Sequence, residues 1–409
     1  MNIKGITVVS PMWGERSKTD RMVFSVITQF ISKNNPFKIH LVLVDDYLEG
    51  RGPNDESCYE YYLSDDFKQF YNPENIKISI IKNNEHKYQG ESREIGFMAG
   101  DYEFFLLIDC DDMLAPNACD RYITAVRGAE RGVKLAFVYG LIYGFDTGNY
   151  TQMINGNSIW VQGRLYNRTF IVSHDIHFPT GLNSRQGEDY PFIRKLEYAF
   201  NHDKNYICGS MPFDDHKEHC QCTAYWFPNP DSLSRKDPYY SPHISGWTMA
   251  SSNSILDFFE EFNKKNGIED IEDEMIKHEI LNMVIYSYFN ILEFLKVTAS
   301  TDYKPLEEDW YALRDNVKKL RSRLKEKYWD EIVYSDIEDA LYAVRHTTDV
   351  HVVESWIGTF YDFMEKEHPI LSMEYDNMIL YCEGLEFDGA DHETHSPYVK
   401  AWKRRHLDV

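Results

Sequence analysis

The chain has 409 residues, 43% hydrophobic and 15% aromatic, with 43 Lys+Arg against 66 Asp+Glu and a formal charge of −23. That length exceeds one typical domain and supplies an ample core, so neither disulfides nor a structural metal is needed to hold the fold together. No apolar run approaches the roughly 20 residues of a membrane span, and the seven cysteines are odd in number and scattered, which speaks against a disulfide framework. Met1 leads almost directly into an apolar strand with no signal-peptide architecture, so the expectation is a soluble cytoplasmic protein without a transmembrane segment. From residue 251 onward there are 18 Lys+Arg against 34 Asp+Glu, so most of the negative charge lies in the C-terminal part. The balance counts against a nucleic-acid partner, although it leaves room for a local basic groove.

In chain order, short β-branched apolar runs alternate with amphipathic stretches up to about residue 143. Residues 6–10 predict a buried strand. Residues 19–33 predict a helix, with Met22, Val26, Ile27 and Phe30 at helical spacing. Residues 39–44 form a second predicted strand that stops at Asp45-Asp46, residues 76–81 a third, and residues 92–99 a short helix. A fourth strand, 104–108, also ends in acids, Asp109-Cys110-Asp111-Asp112. Pro116 suits a helix start, and residues 133–143 read as a fifth strand. This alternation predicts an α/β fold, a mostly parallel sheet with helices on both faces. In such sheets ligands bind beyond the carboxyl ends of the strands. Both acidic clusters fall there.

Residues 149–240 are rich in Asn, His, Pro and aromatics and read as loops with a few strands and one helix over 190–200. Binding and catalytic groups concentrate on such loops. After residue 251 the texture becomes helical, at 255–263, 272–296, 306–327, 334–345 and 352–366. The predicted organisation is an α/β domain over 1–250, in halves 1–145 and 146–250, followed by an α-helical domain over 251–409.

Five constellations carry chemistry. If the fourth strand stays extended, alternation puts Asp109 and Asp111 on one side, and their hard oxygens suit Mg²⁺ or Mn²⁺ shared with phosphates. A plain acidic turn ahead of a helix gives the same pattern. A carboxylate of Asp45-Asp46 suits a ribose hydroxyl or a base N–H, against an ordinary Asx turn. Arg93, in a helix opening Ser92-Arg93-Glu94-Ile95-Gly96, suits a phosphate or a base face, or simply solvent. Glu188-Asp189 follow Gly187 at a helix start, where acids are electrostatically favoured in any case but where one also suits a general base. The cluster His216-Lys217-Glu218-His219-Cys220-Gln221-Cys222 departs from zinc-site spacing; a better reading is His216 or His219 as an extra ligand to the carboxylate-bound metal. There is no phosphate-binding Gly-x-x-x-x-Gly-Lys-Ser/Thr, no Gly-x-Gly-x-x-Gly after the first strand, and no Gly-x-Ser-x-Gly.

Taken together and in order, these pieces resemble family 2 of the glycosyltransferases, enzymes with the GT-A fold. The resemblance rests on the first strand and its Pro11, Val44-Asp45-Asp46, Arg93-Glu94-Ile95-Gly96, Asp109-Cys110-Asp111-Asp112, and Gly163-Arg164-Leu165-Tyr166-Asn167-Arg168. Glu188-Asp189 and a closing strand with its loop over residues 225–235 complete it. It covers roughly residues 3–240 and departs from the family at Pro228, where many members carry a basic residue. The resemblance implies a metal-dependent, inverting transfer of a sugar from a nucleotide-diphosphate donor, UDP-linked for preference, to an acceptor hydroxyl. Pro11, Asp45, Asp46, Arg93 and Asp109 would lie at the donor. Asp109, Asp111 and Asp112 would hold the metal with His216 or His219. Asp189, beside Glu188, would be the base. For the acceptor, a glycan is the first reading. A hydroxymethylated base in DNA is the second, as for virus-encoded enzymes acting in a host cytoplasm, with the basic run Lys400–His406 as its contact. A non-catalytic nucleotide-sugar-binding module and a nucleotidyltransferase are the competing classes.

Overall fold

The computed structural model describes residues 3–13, 16–34, 36–46, 59–129, 132–144, 150–152, 161–180, 187–210, 222–227 and 241–268. The chain divides into two compact units, Met1–Ser232 and Leu233–Val409. The first unit is built on a seven-stranded sheet. Strand β1 (Gly5–Met12) is buried along its whole length, as its Ile6, Thr7, Val8 and Val9 require of a central strand covered on both faces. It pairs in parallel with β2 (Lys38–Asp45) on one side and β4 (Phe104–Leu107) on the other, and β2 pairs in parallel with β3 (Ile76–Lys82).

Between these strands run α1 (Arg16–Ile27), α2 (Asp65–Lys68) and α3 (Tyr88–Ala99). A short strand β5 (Met113–Leu114) and helix α4 (Ala118–Gly128) follow β4. The sheet is completed by β6 (Lys134–Tyr139), the antiparallel β9 (Arg164–Asn167), and β10 (Tyr206–Ser210). Its order is β10-β6-β9-β4-β1-β2-β3. Helices α5 (Arg168–Ser173) and α6 (Asp189–His202) lie between β9 and β10. A second sheet joins β5, β11 (Ala224–Trp226), β7 (Leu141–Gly144) and β8 (Tyr150–Gln152). The fold is the α/β, mostly parallel architecture that the alternation predicted.

Four elements differ from their sequence reading. Helix α1, expected over 19–33, runs Arg16–Ile27. The fifth strand is two strands, β6 and β7, in different sheets. The break falls at Gly140, where an added Cβ would stand 2.2 Å from the Tyr122 hydroxyl and 2.8 Å from the Gly163 carbonyl. Helix α3 starts at Tyr88, one turn before the expected residue 92. Its N-cap, Lys87, makes no side-chain cap; instead the Lys87 N–H donates to Asp46 Oδ1 at 2.8 Å, a cap supplied from another strand. In the second unit, the helix expected over 255–263 runs Ser241–Asn266 and is designated α7. The helices expected after residue 268 lie outside the described residues.

Helix α3 sits unusually close to the sheet. A Cβ on Gly96 would meet Val9 Cγ1 at 2.2 Å and Val44 Cγ2 at 3.0 Å, so glycine alone permits the approach. From its C-terminal end a chain of aromatic rings crosses the domain. Phe97 stacks on Phe105 (4.5 Å between centroids), Phe105 on Tyr166 (5.3 Å), Tyr166 meets Phe192 edge-on (5.7 Å), and Phe192 stacks on Phe178 (4.0 Å). The chain links α3, β4, β9 and α6 beneath the site described next.

Candidate active site

Parallel pairing aligns the carboxyl ends of β1, β2 and β4. Met12 is opposite Asp45, the Asp46 N–H donates to the Met12 carbonyl at 3.1 Å, and the Ile108 N–H donates to the Val9 carbonyl at 3.0 Å. Pro11, Asp45, Asp46 and Asp109 are thus brought to one sheet edge. Asp45 is itself buried.

At the centre is Arg93, 1% exposed. Its guanidinium donates to Glu188, to Asp189 Oδ1 at 2.6 Å and to Asp109 Oδ1 at 2.7 Å. Three carboxylates around it hold its charge firmly on, against the cost of burial. This changes the role expected of Arg93. The group is covered by carboxylates and committed to them, because a buried guanidinium must be paired, and it is not presented to a phosphate or a base. Asp46 is likewise committed. Its Oδ1 accepts from Asn83 Nδ2 (2.7 Å) and the Lys87 N–H, and its Oδ2 lies 2.7 Å from His86 Nδ1. Its work is to pin the loop ahead of α3. Trp13, half exposed, packs its ring 4.5 Å from His86, which in turn lies 3.9 Å from Tyr88.

The acidic segment after β4 does not stay extended. The Asp112 N–H donates to the Asp109 carbonyl at 3.1 Å, closing a turn. The turn brings Asp112 against Asp109, where extended alternation points to Asp111. Gln162 Nε2 donates to Asp109 Oδ2 at 2.6 Å and to Asp112 Oδ2 at 2.9 Å. Gln89 Nε2 donates to Asp109 Oδ1 at 3.0 Å, and the Phe227 N–H to Asp112 Oδ1 at 2.9 Å. Burial, with Asp109 beside it, pushes the Asp112 carboxyl up to about 8. The Asp111 carbonyl accepts from Arg21, whose guanidinium lies 3.8 Å over the Phe227 ring.

Glu188 and Asp189 open α6, after Gly187 in the left-handed region (φ 69°). Glu188 is buried, and desolvation, reinforced by Asp189, lifts its carboxyl to about 8 despite Arg93. Asp189 keeps 22% of its side chain exposed, and burial raises its pKa too. Its Oδ2 accepts from the Val161 N–H at 3.1 Å, while the Val161 carbonyl accepts from the Tyr166 hydroxyl at 2.7 Å. The Tyr and Arg of the 163–168 segment are thus supports. Tyr166 holds Val161, and Arg168 Nη1 donates to the carbonyls of Phe97 (3.1 Å) and Gly100 at the end of α3.

Hard carboxylate oxygens at Asp109 and Asp112 fit Mg²⁺ or Mn²⁺, which take one or two carboxylates and share the rest of their shell with phosphates. Among the described residues no group of three or more His, Cys, Asp or Glu side chains is placed to hold an ion unaided. His216 and His219 lie outside the described residues, as do Pro228 and Lys400–His406. Two participants escaped the sequence reading, Gln89 and Gln162. Gln89 stands one turn before Arg93 on the same helix face; Gln162 adjoins the glycine of the 163–168 segment.

No protein-family model matches the chain, and no curated protein matches it. Solved structures do. The S. aureus TarS fragment 1–349 with UDP-GlcNAc superposes with a TM-score of 0.53 at 16% identity, covering 88% of this chain and 92% of that one. The same fragment with UDP gives 0.51 at 14% identity over 88% and 91%. TarS is a family 2 glycosyltransferase. The likeness establishes the fold: this chain is built on the GT-A glycosyltransferase architecture.

Proposed function

We propose that the protein is a metal-dependent, inverting glycosyltransferase that moves a sugar from a nucleotide-diphosphate donor, UDP-linked by preference, to a hydroxyl of a glycan. One observation carries the reading. In this fold, Arg93 ties a carboxylate at the end of β4 (Asp109) to the pair at the head of α6 (Glu188 and Asp189). Donor-side and acceptor-side acids are thereby held in one rigid frame.

In this reading Asp189 is the base. It is the more exposed of the α6 pair, and a raised pKa suits a proton acceptor working near neutral pH. Asp189 takes the acceptor hydroxyl proton as that oxygen bonds to the anomeric carbon. The carbon–oxygen bond to the diphosphate breaks on the opposite face, and its electron pair leaves with the nucleoside diphosphate. Glu188 and the Val161 N–H hold Asp189 in place. Asp109 and Asp112, with Asp111 beside them in sequence, would hold a divalent ion, which when bound would offset charge on the leaving diphosphate. Pro11 and Asp45 lie on the nucleotide side. The chemistry is assigned to the first compact unit, Met1–Ser232.

The test is Asp189→Asn. Transfer should fall by about 10²–10⁴-fold, the worth of a positioned base, while binding of the donor with Mn²⁺ stays close to wild type. Wild-type turnover in Asp189→Asn would remove the assignment. The donor itself is found by scoring nucleotide sugars with Mn²⁺ for thermal stabilisation, since a ligand of the native state raises the melting temperature.

A further inference from the structure

Gln162 stands where a cation would be expected between two acids. Its Nε2 bridges Asp109 and Asp112 at 2.6 and 2.9 Å, and its Oε1 is buried with no hydrogen-bond partner. The residue is 7% exposed and Asp112 1%. An amide NH₂ between two carboxylates is the favourable orientation without an intervening cation, since the opposite one sets oxygen against oxygen. With a divalent cation between the acids the preference reverses. The NH₂ is repelled, and the amide oxygen becomes a hard ligand of the kind Mg²⁺ and Mn²⁺ take. The far side of the amide offers Oε1 no donor, so a half-turn gives up no hydrogen bond there. The adjoining backbone is fixed, because the Gly163 carbonyl accepts from the Gly140 N–H at 2.7 Å. A side-chain rotation therefore suffices.

We propose that Gln162 is a switching metal ligand, bridging Asp109 and Asp112 through its NH₂ when the cation is away and turning its carbonyl oxygen onto the cation when it is bound. The proposal rests on the metal-dependent reading above and extends it to a residue outside the acidic motif. It makes the unloaded site self-satisfied, with both acids bonded to one amide until the ion arrives.

The test is titration of the full-length protein with Mn²⁺ alone, following the free-ion electron paramagnetic resonance signal, in wild type, Gln162→Leu and Gln162→Glu. A lost ligand should weaken Mn²⁺ binding by about 10-fold in Gln162→Leu, and a carboxylate in its place should tighten binding in Gln162→Glu. If the amide only competes with the ion, Gln162→Leu binds Mn²⁺ as well as or better than wild type, and the switch is overturned while the metal reading stands. A wild-type protein that takes up no Mn²⁺ overturns both. Should Gln162→Leu fail to fold, Gln162→Glu decides, equal or weaker binding counting against the proposal.

Discussion

Replacing Arg93 by Met removes the cation from a site that keeps Asp109, Glu188 and Asp189. Arg93 is fully covered, and one of its partners, Glu188, is 6% exposed. Breaking a buried ionic cluster from one side costs about 3–5 kcal/mol, because charges are left without compensation. For a unit the size of Met1–Ser232, each kcal/mol moves the melting temperature by about 2–4 °C, so a fall of roughly 6–20 °C is expected at pH 7.5. The pH dependence carries more information than the size. Burial already raises the Glu188 and Asp189 carboxyls above their unfolded values, and loss of Arg93 raises them further. An acid whose folded pKa lies above its unfolded one is without penalty below the unfolded value and destabilises increasingly as pH rises toward the folded value. Because the wild-type Glu188 carboxyl already stands at about 8, the deficit of Arg93→Met should widen as pH rises through about 8 and be smaller below it. Adding Glu188→Gln, which removes one stranded charge, should restore at least about 1 kcal/mol, a coupling of the size seen between contacting groups. Thermal melts of the four proteins of this cycle at pH 6 and 9 supply the data. A melting temperature within about 2 °C of wild type at pH 9, or a deficit that ignores pH, would show that Arg93 does not hold these acids together.

Gly96→Ala should destabilise by about 1–3 kcal/mol, as overpacking does, because its Cβ has no room against Val9. Helix α3 also carries Gln89 and Arg93, so donor KM should rise in the same variant, and an unchanged KM would separate helix seating from the site. Asp46→Ala removes the acceptor of the Lys87 N–H, the partner of His86 and one of the two acceptors of Asn83 Nδ2, which keeps Ser92 Oγ; a loss of about 1.5–3 kcal/mol is expected for bonds to a charged group, read by chemical denaturation. His177 lies between Glu94 (2.5 Å) and Asp175 (2.9 Å), which raise its pKa to about 9 from the usual 6.5. The melting-temperature difference between wild type and His177→Ala should therefore be full below pH 6.5 and vanish as pH passes 9. A difference that stays constant from pH 6 to 10 would contradict the ion pair.

The strands of the large sheet and the acids at their ends were legible because each is a local pattern. Residues 6–10, 39–44 and 104–108 are buried on both faces, and a run of β-branched and aromatic side chains announces that without reference to anything distant. What was not legible depends on contacts across the sequence. The start of α3 is capped by Asp46, 41 positions earlier. Strand β6 ends where Gly140 meets Tyr122 and Gly163. The pairing of Asp109 with Asp112 follows from a four-residue turn, where extended alternation favoured Asp111. Arg93 looked like a ligand-facing group because its helix, read alone, offers it no partner. Its carboxylates arrive 16 and 95–96 residues later. Gln162, an unremarkable residue in a loop, acquires meaning only from the two acids that the fold brings against it.

At Gly140 the chain leaves one sheet and enters the other, and at that joint its N–H grips the Gly163 carbonyl, while the Leu141 N–H and carbonyl both meet Thr223 Oγ1. Thr223 stands four residues before Phe227, the residue bonded to Asp112, and Gly163 adjoins Gln162. Both backbone anchors of the Asp112–Gln162 contact are thus sewn to a single stitch, 28 residues after Asp112 and 22 before Gln162. A side chain at position 140 would push on both threads together. A survey of tolerated substitutions should therefore find position 140 as intolerant as Asp112 itself.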